Sequence, residues 1–130
     1  YDDFVRWRIS SSHTITEEMV QESWRLRREL IAEATAIISG PLHAFAFPTA
    51  AIIPPKLSDV QDMEAFKATN FRALRNTSTF NFLDGCSMSL PSTAPGEAPV
   101  GFMLSMMHGH DTDLFSISAG VETIFQSQMK

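Results

Sequence analysis

The sequence is poor in cysteine, in positive charge and in long apolar runs, and each shortage excludes a class of protein. Cys86 is the only cysteine in the 130 residues, so no internal disulfide can form, and we expect a reducing compartment, the cytoplasm. The 10 Lys and Arg residues are outnumbered by 15 Asp and Glu residues, which argues against a nucleic-acid-binding surface. The most apolar stretch, residues 42–55, contains three prolines and is shorter than the roughly 20 residues that span a membrane. We therefore expect neither nucleic acid nor a membrane as a partner.

Common catalytic motifs are also lacking. The sequence has no Gly-x-Ser-x-Gly elbow, no phosphate-binding loop and no dinucleotide fingerprint. The neighbours of Cys86, Asp84 and Ser87, offer no base or cation to activate its thiol, which favours a small buried residue. His108 and His110 are separated by one glycine, but a zinc site needs three or four converging ligands, and the other histidines lie far away in the sequence. We expect no metal and no cofactor.

What the sequence does contain is the composition of an ordinary globular domain. Hydrophobic residues make up 44% of the chain and charged residues 19%, which allows a core without disulfides or metals. No internal repeat or low-complexity segment divides the chain. We therefore predict a single domain over residues 1–130.

A long amphipathic helix is the strongest structural signal. Thr14 and Glu17 form a capping box that predicts its start, and Gly40–Pro41 predicts its end. Its apolar positions recur at spacings of seven or four residues: Met19, Leu26, Leu30 and Ile37. Such a stripe is typical of a helix that packs against a core, and we expect core packing rather than a groove for a partner.

Two further helices are predicted. The capping box of Ser58 and Gln61 begins the second helix, which extends to a polar loop near residue 75. Asp111 is placed to cap the last helix, whose apolar residues recur every three or four positions. The apolar residues at positions 4–9 are compatible with either a short helix or an extended arm.

Three strands are expected between these helices. Residues 42–47 form a short apolar run of the kind found in a strand that is buried on both faces. Residues 86–90 alternate polar and apolar side chains, and residues 100–107 are apolar and rich in methionine. The order helix, strand, helix, strand, strand, helix predicts an α/β fold in which helices cover a small mixed sheet.

Residues 75–91 carry the most suggestive chemistry. Their hydrogen-bonding side chains include those of Asn76, Thr77, Ser78, Thr79 and Asn81. The chain then turns at Asp84–Gly85 and continues as the alternating strand. We predict a polar loop that feeds a buried strand, which is a common way to build a pocket wall.

This stretch belongs to a series of motifs that resembles the C-terminal part of the amidase signature family. Residues 76–85 read Asn-Thr-x-x-x-Asn-x-Leu-x-Gly. The four blocks that match, in chain order, are residues 44–49, 76–91, 99–104 and 109–114. Their order and approximate spacing are similar to the family's from about residue 24 to residue 122. The family's Gly/Ser-rich segment with its nucleophilic serine, and the lysine of its Ser-Ser-Lys triad, have no counterpart in this sequence.

The resemblance implies a fragment of the larger amidase signature fold. In the intact enzyme, a Ser-Ser-Lys mechanism would hydrolyse a carboxamide C–N bond, and this chain would supply scaffold and substrate pocket. By itself the chain would be inactive. Its implied partners are an N-terminal catalytic portion and a small amide substrate, and exposed apolar surface could produce homo-oligomers. The alternative is a stand-alone binding or assembly module without enzymatic activity.

The resemblance also implies which residues approach the substrate. They are Arg75, Thr77, Ser78, Thr79, Asn81, Gly85 and Cys86, with Pro48–Thr49 nearby. Leu74 stands where members that use glutamine place an acidic residue, so we expect an anionic or carboxylated amide, which Arg75 would suit. Pairing of Arg75 with Asp84 or with a helix terminus is the structural alternative.

Overall fold

A computed structural model describes residues 1–38 and 43–128. Within these residues the helices are α1 (Asp3–Ser10), α2 (Glu17–Ile38), α3 (Met63–Phe82) and α4 (Asp111–Gln128). The strands are β1 (Phe45–Pro48), β2 (Cys86–Pro91) and β3 (Gly101–Met106), and single 3-10 turns occupy Ser11–Thr14 and Leu57–Val60. The α/β class predicted from the sequence is confirmed.

The strands form one sheet in the order β1-β3-β2, so β3 lies in the middle. Both strand pairs are antiparallel, and the sheet formed by the described residues is therefore antiparallel throughout rather than mixed. β1 is an edge strand whose residues alternate between half-buried and exposed, so burial on both faces was the wrong prediction. An edge position leaves one row of its backbone groups without a neighbouring strand. Leu42, which began the predicted strand, lies outside the described residues.

The hydrophobic core lies between one face of the sheet and α4. Leu104 of β3 is paired with Ala46 on one side and Met88 on the other, and these side chains share a face. The buried core cluster consists of Leu90, Leu104, Met106 and Leu114. Phe102 packs edge-to-face on Phe125 of α4, with ring centroids 5.4 Å apart. The methionine-rich strand is thus the centre of the core, as its apolar run predicts.

The opposite face of the sheet packs on α3 through a cluster of aromatic rings. Phe80 of α3 is buried, and its ring centroid lies 5.3 Å from that of Phe45 and 5.5 Å from that of Phe47. Hydroxyl groups complete this face, because Ser87 Oγ lies 2.7 Å from the Oγ of the fully buried Ser105. This face therefore mixes aromatic and polar groups, whereas the core cluster on the α4 face consists of apolar residues.

α2 has the predicted length, but the described residues leave much of its apolar stripe exposed; Gly40–Pro41, predicted to end the helix, lies outside the described residues. Thr16 is its cap, with its hydroxyl accepting from Met19 N at 3.2 Å, whereas Thr14 belongs to the preceding 3-10 turn. Within α2, all of whose residues the structure describes, Ala34 alone is buried. The exposed stripe includes Met19, Trp24, Leu26, Leu30 and Ile37. Among the described residues the expected core packing of this stripe is wrong. Periodicity gives a helix an apolar face but does not specify which part of the protein covers that face.

The predicted polar loop is instead the end of α3. Thr77 Oγ1 donates to Leu74 O at 3.1 Å and Thr79 Oγ1 donates to Arg75 O at 3.0 Å, so these hydroxyls are hydrogen-bonded within the helix.

The start of α3 also differs from the prediction. Asp62 caps it by accepting from Ala65 N at 2.9 Å, and Ser58 of the predicted capping box lies in a 3-10 turn beforehand, with Gln61 directly after that turn.

The Asp84–Gly85 turn ends α3 and leads directly into β2. Asp84 has a φ of 61°, in the left-handed region that usually requires glycine. Gly85 N donates to Phe80 O at 2.9 Å and Asp84 N to Asn81 O at 3.5 Å, which is the pairing of a Schellman motif. The turn was predicted correctly, although it terminates a helix rather than joining two strands.

Residues near the N-terminus form a helix, so the extended arm is excluded. Asp2 caps α1 by accepting from Val5 N at 3.0 Å. The helix rests on α3 through Phe4 against Phe66, with ring centroids 4.4 Å apart.

At the other end of the chain, α4 begins at Asp111. Leu114 N donates to His110 O, so Asp111 is in the first turn of α4 rather than at its cap. None of the helices that the structure describes is long and apolar enough to cross a membrane.

Candidate functional site: a groove lined by arginines

A groove of about 720 Å³ runs between α1 and α3. Its α1 side and the turn after it contribute Trp7, Arg8 and Ser11. Its α3 side contributes Asn70, Phe71, Arg72, Leu74, Arg75 and Ser78. We call this feature the arginine groove, because guanidinium groups are the only charged groups among its described lining residues.

Helical spacing brings the lining residues to one side of each helix. Phe71, Arg75 and Ser78 lie four and seven positions apart on α3, which places them along one face. Trp7 and Ser11 are four positions apart, and Ser11 Oγ donates to Trp7 O at 2.9 Å. The groove is therefore a direct product of the register in which α1 lies on α3.

An aromatic pair forms the apolar wall of the groove. The rings of Trp7 and Phe71 meet edge-to-face, with centroids 6.0 Å apart and planes at 88°. Phe71 keeps 65% of its surface exposed even so, which leaves a ring face open. Lys67 Nζ lies 4.9 Å from the Trp7 ring centroid, and its charge is already paired with Glu64 at 3.0 Å.

The three arginines of the groove are free of ionic partners. Arg8, Arg72 and Arg75 are exposed, and none makes an ion pair within residues 1–38 and 43–128. Other arginines differ, since Arg25 bridges Glu22 and Glu29. A guanidinium presents paired N–H donors that match the two oxygens of a carboxylate. The groove can therefore bind an anion without first displacing a protein carboxylate.

Arg75 and Ser78 also border a second hollow, of about 380 Å³, between α2 and α3. Its other lining residues are Leu30, Thr79, Phe82 and Leu83. Three of the seven residues implied as substrate-binding, Arg75, Ser78 and Thr79, therefore meet along this side of α3.

The remaining four implied residues lie elsewhere. Thr77 is half-buried within α3, and Asn81 is exposed near its end. Gly85 lies close against Met106 and Phe80. A Cβ at this position would lie 2.7 Å from Met106 O and 2.8 Å from a ring carbon of Phe80. Cys86 packs against the core beside α4, where burial first and the charge of Asp111 second raise the pKa of its thiol. The seven residues do not converge on one cavity, and their substrate-binding role stays a prediction.

Asp84 is paired with other residues than Arg75. Arg27 of α2 approaches the Asp84 carboxylate at 3.3 Å and donates from Nε to Phe82 O at 2.6 Å. His108 lies 3.6 Å from the second Asp84 oxygen. The alternative in which Arg75 pairs with Asp84 is therefore wrong, and Arg27 joins α2 to the end of α3. Helix periodicity gives no signal for such a contact, because its residues are 57 positions apart, from 27 to 84.

A separate cleft of about 570 Å³ lies where the extended residues 49–55 cross the ends of β2 and β3. Thr49 Oγ1 and Ser89 Oγ are 2.5 Å apart at its wall, and Asn76 Nδ2 donates to Pro48 O at 2.7 Å. Both hydroxyls belong to blocks of the amidase-like pattern. None of the described residues that line the cleft has a charged side chain, so neither hydroxyl has a base among them.

The histidines do not assemble a metal centre in the described part of the chain. His110 Nδ1 lies 3.0 Å from Asp113 Oδ2, and His108 pairs with Asp84. Across residues 1–38 and 43–128, no group of three or more His, Cys, Asp or Glu side chains is arranged to hold a metal ion.

Sequence reasoning missed the α1 side of the groove. Trp7, Arg8 and Ser11 were not singled out, because the apolar residues at positions 4–9 left helix and arm equally open. Asp2 three positions before Val5 was the available signal, since aspartate at such a spacing caps a helix. With α1 in place, the spacing of Phe4 and Trp7 gives it one aromatic face for α3.

Comparison with known proteins finds a distant similarity to a characterised enzyme. No protein-family model matches the chain, and no solved structure matches it. The chain is similar to 2-amino-5-chloromuconic acid deaminase of Comamonas testosteroni, with 26% identity over 127 residues. The match covers 94% of this chain and 26% of the deaminase, so the chain spans about a quarter of that relative's length. The similarity supports a distant amidase-like relation.

Proposed function

We propose that this chain forms scaffold and substrate-pocket structure of an amidase-like hydrolase that cleaves a carbon–nitrogen bond. The observation that carries the proposal is the similarity to a deaminase along 94% of the chain. The ordered amidase-like blocks support it independently, because they were identified from the residues alone. In the proposed enzyme, Arg75, Ser78 and Thr79 contribute to the substrate-binding wall, and Thr77, Asn81, Gly85 and Cys86 support or border it.

The proposal assigns the bond-cleaving groups to an N-terminal catalytic portion outside these 130 residues, with a Ser-Ser-Lys mechanism and a small amide as substrate. The hydrogen bonding of the hydroxyls in this chain is consistent with that division. Thr49 and Ser89 pair with each other, as do Ser87 and Ser105, and such pairs position hydroxyls without activating one as a nucleophile. The cytoplasm is the proposed compartment.

The exposed stripe of α2 is the proposed contact for that catalytic portion. Trp24 and Ile37 are each 53% exposed on a helix whose apolar residues follow one stripe. Exposed apolar stripes of this kind are characteristic of surfaces that a partner covers. Without the catalytic portion, the same stripe is proposed to drive self-association of the chain.

The direct test is a segment exchange in the Comamonas deaminase. The quarter of the deaminase that matches this chain is replaced by residues 1–130, and ammonia release from 2-amino-5-chloromuconic acid is measured. We expect a folded hybrid that releases ammonia, because the chain supplies the walls and the deaminase supplies the reactive groups. A folded hybrid without ammonia release, whose activity returns when the native quarter is restored, would contradict the proposal.

A binding or assembly module without enzymatic activity is the second candidate function. The observation that favours it is the arginine groove, whose walls are both formed by this chain. Oligomeric state and hydrophobic-dye binding discriminate the two. The hydrolase proposal predicts dye binding or dimers that diminish in Trp24→Gln, with Tyr1→Gln as an exposed control away from the stripe. A monomer that binds no dye would favour the module.

A further inference from the structure

We infer that the arginine groove binds a small organic carboxylate with a flat apolar portion. The inference names the substrate class of the proposed hydrolase and in that sense rests on the proposed function, although binding itself requires no catalysis. The flat portion lies against Trp7 and Phe71, and the carboxylate is held by the guanidinium groups.

The charge of the groove selects an anion. Arg8, Arg72 and Arg75 border one cavity, and no acidic side chain is among its described lining residues. Lys67, whose Nζ lies 4.9 Å from the Trp7 ring centroid, is already paired with Glu64 at 3.0 Å. This concentration of positive charge occurs in a chain of net charge -5, so the groove opposes the overall balance of the protein.

The apolar wall selects the shape of the ligand. Phe71 is a large aromatic side chain with 65% of its surface exposed, and it meets the Trp7 ring edge-to-face at 88°. A planar group gains contact area and favourable ring geometry on such a wall. The cavity volume of about 720 Å³ lies within the usual range for small-molecule sites.

Neutral polar groups at the groove supply the remaining hydrogen bonds. Asn70 offers amide donors and an acceptor, and Ser78 offers a hydroxyl. Ser11 already donates to Trp7 O, which leaves its oxygen able to accept. An amide or amino group on the ligand has partners here, whereas a purely apolar ligand would leave three guanidinium groups unused.

The test uses benzoate as the probe and benzamide as its neutral counterpart of the same shape. Both are titrated into the purified chain, and the two indole N–H signals are followed by NMR. The chain contains 2 tryptophans, so Trp7 reports on the groove while Trp24, on α2, serves as the internal reference. We expect benzoate to shift the Trp7 signal saturably, with affinity at least about tenfold higher than that of benzamide, because charged hydrogen bonds are lost with the neutral probe.

Substitutions then locate the carboxylate. Arg75→Gln and, separately, Arg72→Gln should each weaken benzoate binding by about tenfold while leaving benzamide unchanged. Arg28→Gln is the matched control, since Arg28 is an exposed arginine of α2 that does not line the groove. Absence of a saturable shift, equal affinity for the two probes, or an equal effect of Arg28→Gln would each overturn the inference.

The two proposals fail separately. If benzoate binds as expected but the deaminase hybrid releases no ammonia, the carboxylate site is supported and the hydrolase proposal is contradicted. If the hybrid is active but benzoate does not bind, the hydrolase proposal stands and the groove is not its carboxylate site.

Discussion

The two faces of the sheet differ in how completely the chain covers them. On the α4 face, only 5% of the surface of Leu104 and 4% of that of Leu114 is exposed to solvent. Aliphatic side chains fill the space between sheet and helix. On the other face, Phe80 is buried by the rings of β1, but α2 beyond it keeps Trp24 and Ile37 each 53% exposed. The α4 face of the sheet thus forms a buried core with this helix. On the other face, α3 is packed against the sheet, but much of the apolar stripe of α2 stays exposed.

The candidate chemistry lies on the less completely covered side. The arginine groove, the hollow beside α2 and the hydroxyl-lined cleft are all bordered by α3 residues, whereas Cys86 packs against the α4 core. We therefore expect stability and ligand binding to depend on different regions of the chain. Substitutions on the α4 face should affect folding, and substitutions around α3 should affect binding.

The largest expected effect comes from shortening a core side chain on the covered face. Leu104→Ala should lower the free energy of unfolding by about 2–5 kcal/mol, because it removes buried methyl groups and leaves a cavity. Ile37→Ala, on the exposed stripe of α2, should cost less than about 1 kcal/mol by the same measurement, chemical denaturation. Equal losses for the two substitutions would show that the α2 face is as well packed as the core.

A glycine pair tests the same comparison at the backbone. Gly85→Ala should destabilise the protein by about 1–3 kcal/mol, because the new Cβ would lie 2.7 Å from Met106 O, a backbone atom that cannot easily move. Gly120→Ala, on α4, meets nothing within 4 Å and should stabilise by up to about 1 kcal/mol through helix propensity. Thermal unfolding of both variants measures the difference, and a stabilising Gly85→Ala would contradict the close packing at the end of β2.

Ser118 is the polar exception in the covered core. Its side chain is 1% exposed, and its Oγ has no hydrogen-bond partner among the described residues. Ser118→Ala should raise the free energy of unfolding by about 1 kcal/mol, since it removes a buried hydroxyl without a partner. Ser116→Ala, at an exposed site of the same helix, controls for helix propensity and should give about half that gain. A destabilising Ser118→Ala would indicate that the hydroxyl is bonded.

The smallest effect concerns Cys86, at the border of the covered core. Because burial raises the pKa of this thiol, less of it is thiolate at a given pH, and alkylation should be slower in the native than in the unfolded chain. The pH at which the native alkylation rate reaches half its maximum should lie above the ordinary value for cysteine, about 8.5. Iodoacetamide kinetics across that pH range measure it, and a midpoint below the ordinary value would refute the assignment.

The sequence predicted element types better than their partners. The lengths of α2 and β2 followed from local periodicity, because a repeat of 3.6 or 2 residues is a property of the segment itself. Whether other residues bury Leu30 depends on parts of the chain that are distant in sequence. The periodicity of α2 does not indicate which residues pack against it. Thr77 and Thr79 were read as loop residues, since their types favour turns, but their hydroxyls bond to carbonyls within α3 instead.

The candidate site was predictable only in part for the same reason. Arg75 and Ser78 were identified through the amidase-like pattern, and both line the groove. Trp7 and Arg8 complete it from α1, a helix far away in sequence whose register on α3 no local pattern specifies. Ser89 and Thr49 also meet only in the folded sheet, at 2.5 Å.

The measurement that tests the account most directly follows binding and bond cleavage in one sample. The purified chain is incubated with a carbamoyl-substituted benzoate, which carries a carboxylate and a carboxamide on one ring, while the Trp7 signal and released ammonia are recorded. The account predicts saturable binding that Arg75→Gln weakens, with no ammonia released. Ammonia release by the chain alone that disappears in Ser89→Ala would contradict it, because the chain would then contain its own nucleophile.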